Sequence, residues 1–271
     1  MTHSALVALL RRSVTAVSHV YFLVGVWLLV MVLVPISRWT AGEEAMRGLI
    51  VVSVAVQATA VFEILRAAWG WQRTGRLFLA IAAATFLVEF VGSRTGKPFG
   101  PYHYTPLLQP QLGGVPLVVP LAWFMMLPPA WAVADRFRGS RWRFALVSAA
   151  AFTAWDLLLD PQMVRWGFWE WTPPGGYFGI PWSNYGGWLL TAVALTFILR
   201  PKDVPIRPLL LIYTITCFLE IIGLALFWGM PGPALTGGAV MCAFTVLGWR
   251  QPTPGGYQPL ILLRRSPAKS T

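Results

Sequence analysis

The sequence predicts an all-α protein: a polytopic transmembrane helical bundle of about eight spans, with two outer loops rich in aromatics, Gly and Pro. Three observations predict it. Of 271 residues, 56% are hydrophobic and only 11% are charged, about half the charged share of a soluble domain. The mean hydropathy is +0.62. The apolar residues fall in runs of about 20, the length that crosses a bilayer.

Eight runs qualify: 18–36, 48–69, 76–93, 115–134, 144–163, 184–200, 208–228 and 233–249. The first follows Arg11 and Arg12, as a signal peptide would. Its apolar core, Val20 to Val34, is long for that role, and Pro35-Ile36-Ser37-Arg38-Trp39 offers no small-residue cleavage site. It reads as a retained span. The fourth carries Pro116, Pro120, Pro128 and Pro129, so it is expected to be kinked or broken, with its freed backbone satisfied by neighbours or a cavity. The sixth and eighth are short.

Charge supports the count. Sixteen of the 21 basic residues fall on one side: the N-terminus, the 66–76, 136–143 and 200–207 loops, and the C-terminus. Arg38, Arg47, Arg94, Lys97 and Arg165 fall on the other. Eight spans with both termini in the cytoplasm, crossing the plasma membrane, satisfy this asymmetry; seven would put the basic C-terminus outside. The net charge of +11 therefore reads as topology and contact with anionic lipid. No basic patch alternates with aromatics as nucleic-acid binding requires. The chain reads as one integral membrane domain over 1–271, ending in a flexible cytoplasmic tail over 250–271.

No metal, haem, nucleotide or iron–sulfur motif is present. Cys217 and Cys242 lie inside apolar runs, which excludes a disulfide framework. Lys97, Lys202 and Lys269 lie outside every span, so no lysine is placed to carry retinal. No cofactor is expected. Paired halves with matching broken helices, the mark of a secondary transporter, are not seen.

An ionisable group at membrane depth is a functional hypothesis by default. Asp156 and Asp160 are spaced i, i+4 and share one helix face. Like charges that close, in a low dielectric, share a proton more readily than they both ionise. Glu89 lies near the outer end of the third span, at the level of this pair. The plainer readings are neutralisation of the aspartate pair by Arg94 or Arg165, or its solvation at the helix mouth, and a structural salt bridge between Glu89 and Arg94. Glu63 is expected to pair with Arg66. Glu220 falls mid-span, either paired with a polar group or lining a cavity. The long outer loops, 94–114 and 164–183, are too apolar for solvated linkers and are expected to fold back on the helix ends. Their Trp and Tyr residues suit an interfacial belt or the wall of a cation-tolerant cavity.

The stretch from Glu89 to Trp188 resembles the integral-membrane carotenoid biosynthesis family, which includes carotenoid 1,2-hydratases and bisanhydrobacterioruberin hydratase. The pieces that carry it are Glu89 with Gly92, Gly96-Lys97-Pro98-Phe99-Gly100-Pro101-Tyr102-His103-Tyr104, Asp156-Leu157 and Asp160-Pro161. Gly167-Phe168-Trp169-Glu170-Trp171 follows, then Gly176 through Tyr185, and Gly187-Trp188. The resemblance implies addition of water across the terminal C1=C2 bond of a linear (ψ) carotenoid end, giving a tertiary 1-hydroxy group. The substrate would be a membrane-embedded carotenoid such as lycopene or γ-carotene, reached laterally from lipid.

Such a reaction needs a proton donor, a guided water and a cation-tolerant wall. Asp156 or Asp160 is expected to be the acid, the other tuning it, with Glu89 orienting or deprotonating the water. Phe99, Tyr102, His103, Tyr104, Trp155, Trp169, Glu170 and Trp171 are expected to contact substrate, and Asn184 to hold the water. The rival readings are a carotenoid-end cyclase, a Mg²⁺-dependent prenyltransferase using Asp156 and Asp160, and a carotenoid- or lipid-binding membrane protein without catalysis.

Overall fold

The computed structural model describes residues 3–137 and 139–250, with residues 3–18 described by backbone alone. The tail over 251–271, Arg138 and the side chains of Arg11 and Arg12 lie outside the described residues.

The helices are α1 (His3–Trp69), α2 (Trp71–Thr95), α3 (Val118–Asp135), α4 (Arg141–Arg165), α5 (Trp182–Leu199), α6 (Ile206–Ile222) and α7 (Pro231–Arg250). Six of the helices are long and apolar enough to cross a membrane. α1 has 67 residues, about 100 Å of helix at 1.5 Å per residue, against a hydrocarbon core of about 30 Å. It turns at Gly42, whose backbone is non-helical at φ 89° and ψ −176°, a region only glycine adopts freely. Val34 and Ile50, Met31 and Ser53, and Trp27 and Gln57 are equidistant in sequence from Gly42, and all six line one cavity. The two limbs of α1 are therefore a hairpin. With two limbs, and with α5 counted, each of the eight expected spans has its helix.

α3 and α4 form the centre. Every residue of α3 from Trp123 to Ala134 is buried, as an all-round apolar helix must be. The expected break at its prolines does not occur. Pro120 falls in the first turn, where no N–H is needed. Pro128 and Pro129 are accommodated within a continuous helix, and Pro116 lies before it in a strand. Ser140 caps α4, its hydroxyl accepting from the Arg143 N–H at 3.3 Å, which satisfies a donor of the first turn.

The basic loops meet at one end of the bundle. Trp69 Nε1 donates to the Asp203 carbonyl (2.9 Å) and an Arg73 guanidinium nitrogen to the Lys202 carbonyl (2.7 Å). Arg141 Nε donates to the Phe197 carbonyl (3.1 Å) and Arg136 Nε to the Gly248 carbonyl (2.9 Å). Glu63 pairs with Arg66 as expected, at 2.5 Å.

The other end carries a cap, where the two long loops are not helical. β1 (Tyr102–Tyr104) pairs antiparallel with β4 (Trp169–Trp171), joining one loop to the other. β2 (Gln111–Leu112) and β3 (Val115–Pro116) form a hairpin. Its two-residue turn is Gly113-Gly114, at φ 55° and 82°, the positive values a tight hairpin turn requires. The cap is pinned by Phe99, which is 1% exposed. A Cβ on Gly92 of α2 would sit 2.7 Å from one side of its ring, and a Cβ on Gly187 of α5 would sit 2.7 Å from the other.

The clamp yields a prediction. Gly187→Ala is expected to lower stability by about 1–3 kcal/mol, the usual cost of overpacking. Gly186→Ala, at an open position, is expected to leave stability unchanged or raise it slightly. Thermal unfolding of the two purified variants in one detergent checks the difference.

Candidate active site

Pro161 sits inside α4 and lacks the N–H that would bond the carbonyl of Leu157. The Tyr177 hydroxyl, from the second cap loop, donates to that carbonyl instead at 3.1 Å. The helix therefore stays intact through Asp156 and Asp160, and one cap loop is tied to it.

The two aspartates are buried, at 0% and 1% exposure, and Glu89 is buried at 3%. Among the described residues, no cation holds any of them. Arg94 donates instead to the carbonyls of Phe90 (3.0 Å) and Gly113 (2.9 Å), and Arg165 is exposed. Neutral donors satisfy the carboxyl groups. The Asn184 amide of α5 donates to Asp156 Oδ2 at 3.2 Å and, more closely, to Asp160 Oδ2. Trp169 Nε1 of β4 donates to Asp160 Oδ1 at 3.1 Å. Tyr102 and Tyr104 of β1 donate to Glu89 Oε2 at 2.5 and 2.8 Å, and Trp123 Nε1 of α3 donates to Oε1 at 3.3 Å. Burial, reinforced by the Glu89 carboxylate, pushes both phenols up, so each remains a hydrogen donor at physiological pH.

The register of β1 and β4 explains this convergence. Side chains alternate across a strand. Tyr102 opposes Trp171 and Tyr104 opposes Trp169, and these four turn inward. Tyr102 stacks on Trp171 with centroids 5.7 Å apart, and Tyr104 meets Trp169 edge-on at 5.7 Å. His103 and Glu170 oppose each other on the outer face and are exposed. The structure therefore does not bring these two expected contact residues to the site. Trp155 is also displaced from its expected place. It meets Trp188 edge-on at 6.1 Å and lines a separate, wider cavity.

A void of about 30 Å³ lies among Glu89, Asp160, Asn184 and the rings of Phe99, Tyr102, Tyr104, Trp169 and Trp171. That is room for one or two waters. Asp160 faces it; Asp156 is not part of its lining and lies one turn away on the same helix. Asp156 Oδ1 and the Tyr185 hydroxyl are buried without hydrogen-bond partners. Among the described residues, no group of three or more His, Cys, Asp or Glu side chains is placed to hold a metal ion.

Two wall residues escape sequence reasoning. Trp123 and Trp188 stack at 4.6 Å, and both line the void. Trp188 was visible only as part of the family-like stretch. Trp123 lies in a helix buried on every side, where periodicity marks no face. Glu220, expected mid-span, lies three residues before the π-helical turn Gly223–Phe227 that follows α6. The Gln162 amide, oriented by its neighbours, donates to Glu220 Oε2 (3.0 Å) and accepts from Trp228 Nε1 (3.0 Å). Cys217 and Cys242 are free thiols with their sulfurs 3.4 Å apart.

A family model described as "Carotenoid biosynthesis protein" matches residues 45–244. That range holds every residue of the site, the second limb of α1 from residue 45, all of α2 to α6, and α7 as far as residue 244. Among curated proteins, the chain is similar to a bisanhydrobacterioruberin hydratase of Haloarcula japonica, 35% identical over 125 residues. The match covers 44% of this chain and 42% of that protein, so the chain spans less than half of the relative it matches. No solved structure matches the chain. With well over half its length matched by the family model, the chain belongs to the carotenoid biosynthesis protein family.

Proposed function

We propose that the protein is a carotenoid hydratase, a hydro-lyase that adds water across the terminal C1=C2 bond of a linear (ψ) carotenoid end. The observation that carries this reading is the small aromatic void, faced by Asp160 on one side and Glu89 on the other. The relative's name as a hydratase supports the reaction class. We read the substrate as a linear carotenoid held in the membrane, and the basic end of the bundle as the cytoplasmic side.

Asp160 is the proton donor in this reading, and Asp156, sharing the Asn184 amide, is its positioning partner. The proton leaves the Asp160 carboxyl oxygen and bonds to C2, taking the π electron pair with it. A tertiary cation remains at C1. The faces of Tyr102, Trp169 and Trp171 stabilise that charge. Water attacks C1, and its excess proton passes to Glu89, leaving a tertiary alcohol. Return of that proton to Asp160 through water closes the cycle. Atoms and charge balance without an oxidant, reductant or nucleotide. The void as it stands accommodates water and not a branched carotenoid end, so a wall residue must move when substrate binds.

Expression in a host that makes lycopene or γ-carotene, followed by chromatography with mass detection, tests the reaction. A more polar pigment heavier by one water is the expected product. A changed retention at unchanged mass would replace the hydratase with a cyclase, and unchanged pigment of both kinds would count against a hydratase of ψ ends.

The roles have their own tests. Asp160→Asn is expected to lower product formation by about 10²–10⁴-fold, the range assigned to a positioned general acid. Asp156→Asn is expected to lower it less, because the donor itself survives. If both variants kept full activity, the acid assignment would be wrong. Trp169→Phe keeps a ring but removes the N–H on Asp160. A rate loss of about tenfold is expected, the equivalent of about 1.4 kcal/mol of transition-state stabilisation, with thermal stability nearly that of wild type. Initial rates at saturating carotenoid in proteoliposomes measure it.

A further inference from the structure

Besides the acid site, the bundle contains a much larger cavity. It measures about 390 Å³ and runs between the two limbs of α1 and helices α3, α4 and α6, within the size range of small-molecule sites. Val32, Ile222 and Phe227 at its rim are 53%, 44% and 38% exposed. It therefore opens sideways, onto the face a bilayer would cover. Part of the rim is the π-helical turn after α6, a distortion that recurs at functional sites.

Three features narrow what the cavity takes. Its walls are mostly aliphatic and aromatic. One of its lining residues, Trp27, is 1% exposed, and its indole N–H has no hydrogen-bond partner. A buried donor without an acceptor is costly. A conjugated chain offers a π face that accepts such N–H groups without placing polar atoms among the apolar walls; a saturated lipid chain offers none. Finally, Leu159 lines both this cavity and the acid void. It directly precedes Asp160, so a chain lying in the cavity has its nearest path to the carboxyl group past this one side chain.

We propose that the wide cavity is the chamber that holds the polyene chain of the carotenoid, and that Leu159 is the specificity-determining residue at the neck between chamber and acid site. This rests on the hydratase reading for what happens at the carotenoid's end, but the binding chamber is tested separately. Glu220, Gln162 and Trp228 bond to one another at the chamber's polar end, and Trp155 interacts with Glu220 there, which leaves the Trp27 indole to face the chain.

The experiment uses the full chain purified from a lycopene-producing host. Val54→Trp fills the chamber from the second limb of α1, away from the acid site; Ile50→Phe is a milder filling variant, and Val54→Ala is the control for folding. Retained pigment is read by absorbance per protein. Water addition is measured on full-length lycopene and on a ten-carbon hydrocarbon with the same terminal 2-methyl-2-ene. Wild type and Val54→Ala are expected to retain pigment. Both filling variants are expected to lose pigment and to hydrate lycopene about tenfold more slowly, while the short hydrocarbon, which needs no chamber, reacts at the wild-type rate. Leu159→Trp is expected to retain pigment yet hydrate neither substrate, since the larger ring closes the neck and also fills the acid void that Leu159 lines.

Pigment retained equally by wild type and by a folded filling variant would overturn the chamber. So would phospholipid in place of pigment in the wild-type protein. If Val54→Trp fails to fold, Ile50→Phe decides. If wild type retains pigment but adds no water to either substrate, the hydratase reading falls, and the pigment lost or kept by the filling variants still decides the chamber.

Discussion

Three carboxyl groups are buried at membrane depth with no cation among the described residues to hold them, and the rest of the site is arranged around that constraint. Removing a carboxyl group from water is costly unless donors replace the water. Here every donor is neutral: an amide from α5, indoles from β4 and α3, and two phenols from β1. A guanidinium would neutralise these carboxyl groups by fixing them as anions. Neutral donors hold the same geometry and leave room for a proton on the pair, as protonation of an alkene requires. The same constraint explains the cap. β1 and β4 pair across 67 residues of sequence, and their register puts the Glu89 donors beside the Asp160 donor. The clamp on Phe99 by Gly92 and Gly187 in turn fixes the loop that leads into β1.

Much of this was legible in the sequence, and the limits have physical causes. The eight spans follow from apolar length alone. The aspartates at i and i+4, and Glu89 at their level, follow from helix geometry and topology. The pairing of Tyr102–Tyr104 with Trp169–Trp171 does not, because contacts between distant strands leave no local periodicity. Alternation within each triplet, Tyr-His-Tyr and Trp-Glu-Trp, is nonetheless a strand signal of period two. Read as such, it separates the four inward rings from His103 and Glu170. The α3 prolines leave their helix unbroken for another reason. A proline breaks a helix when the carbonyl it frees lacks a partner, and a helix enclosed on all sides by packed neighbours has other means of support. Pro161 makes the same point in α4, where a hydroxyl from the cap takes up the free carbonyl.

On the proposed function, the two cavities divide the work that a membrane catalyst on a long hydrocarbon must do. A polyene gains little from polar contacts, so a site that binds its length is wide and apolar; a site that protonates one carbon is small and polar. One void serving both would bring water along the whole chain or grease against the acid. α4 separates the two functions by presenting different faces. Trp155, Leu159, Gln162 and Met163 turn toward the wide cavity, while Asp160 faces the small one. The spacing that places Asp156 and Asp160 on one helical face also places Trp155 and Leu159 one turn apart on the adjoining face. On the proposed reaction, a single helix thus holds both the acid and the partition beside it. Its proline and its close packing against α7, where Gly237 leaves only 3.0 Å between a would-be Cβ and the Leu157 backbone, keep those two faces in fixed relation. A shift of α4 by one residue would rotate it by about 100°, turning Leu159 into the acid site and Asp160 away from it to the place of Pro161, which does not line the void. The rigid packing of this helix is therefore a requirement of the proposed chemistry as well as of the fold.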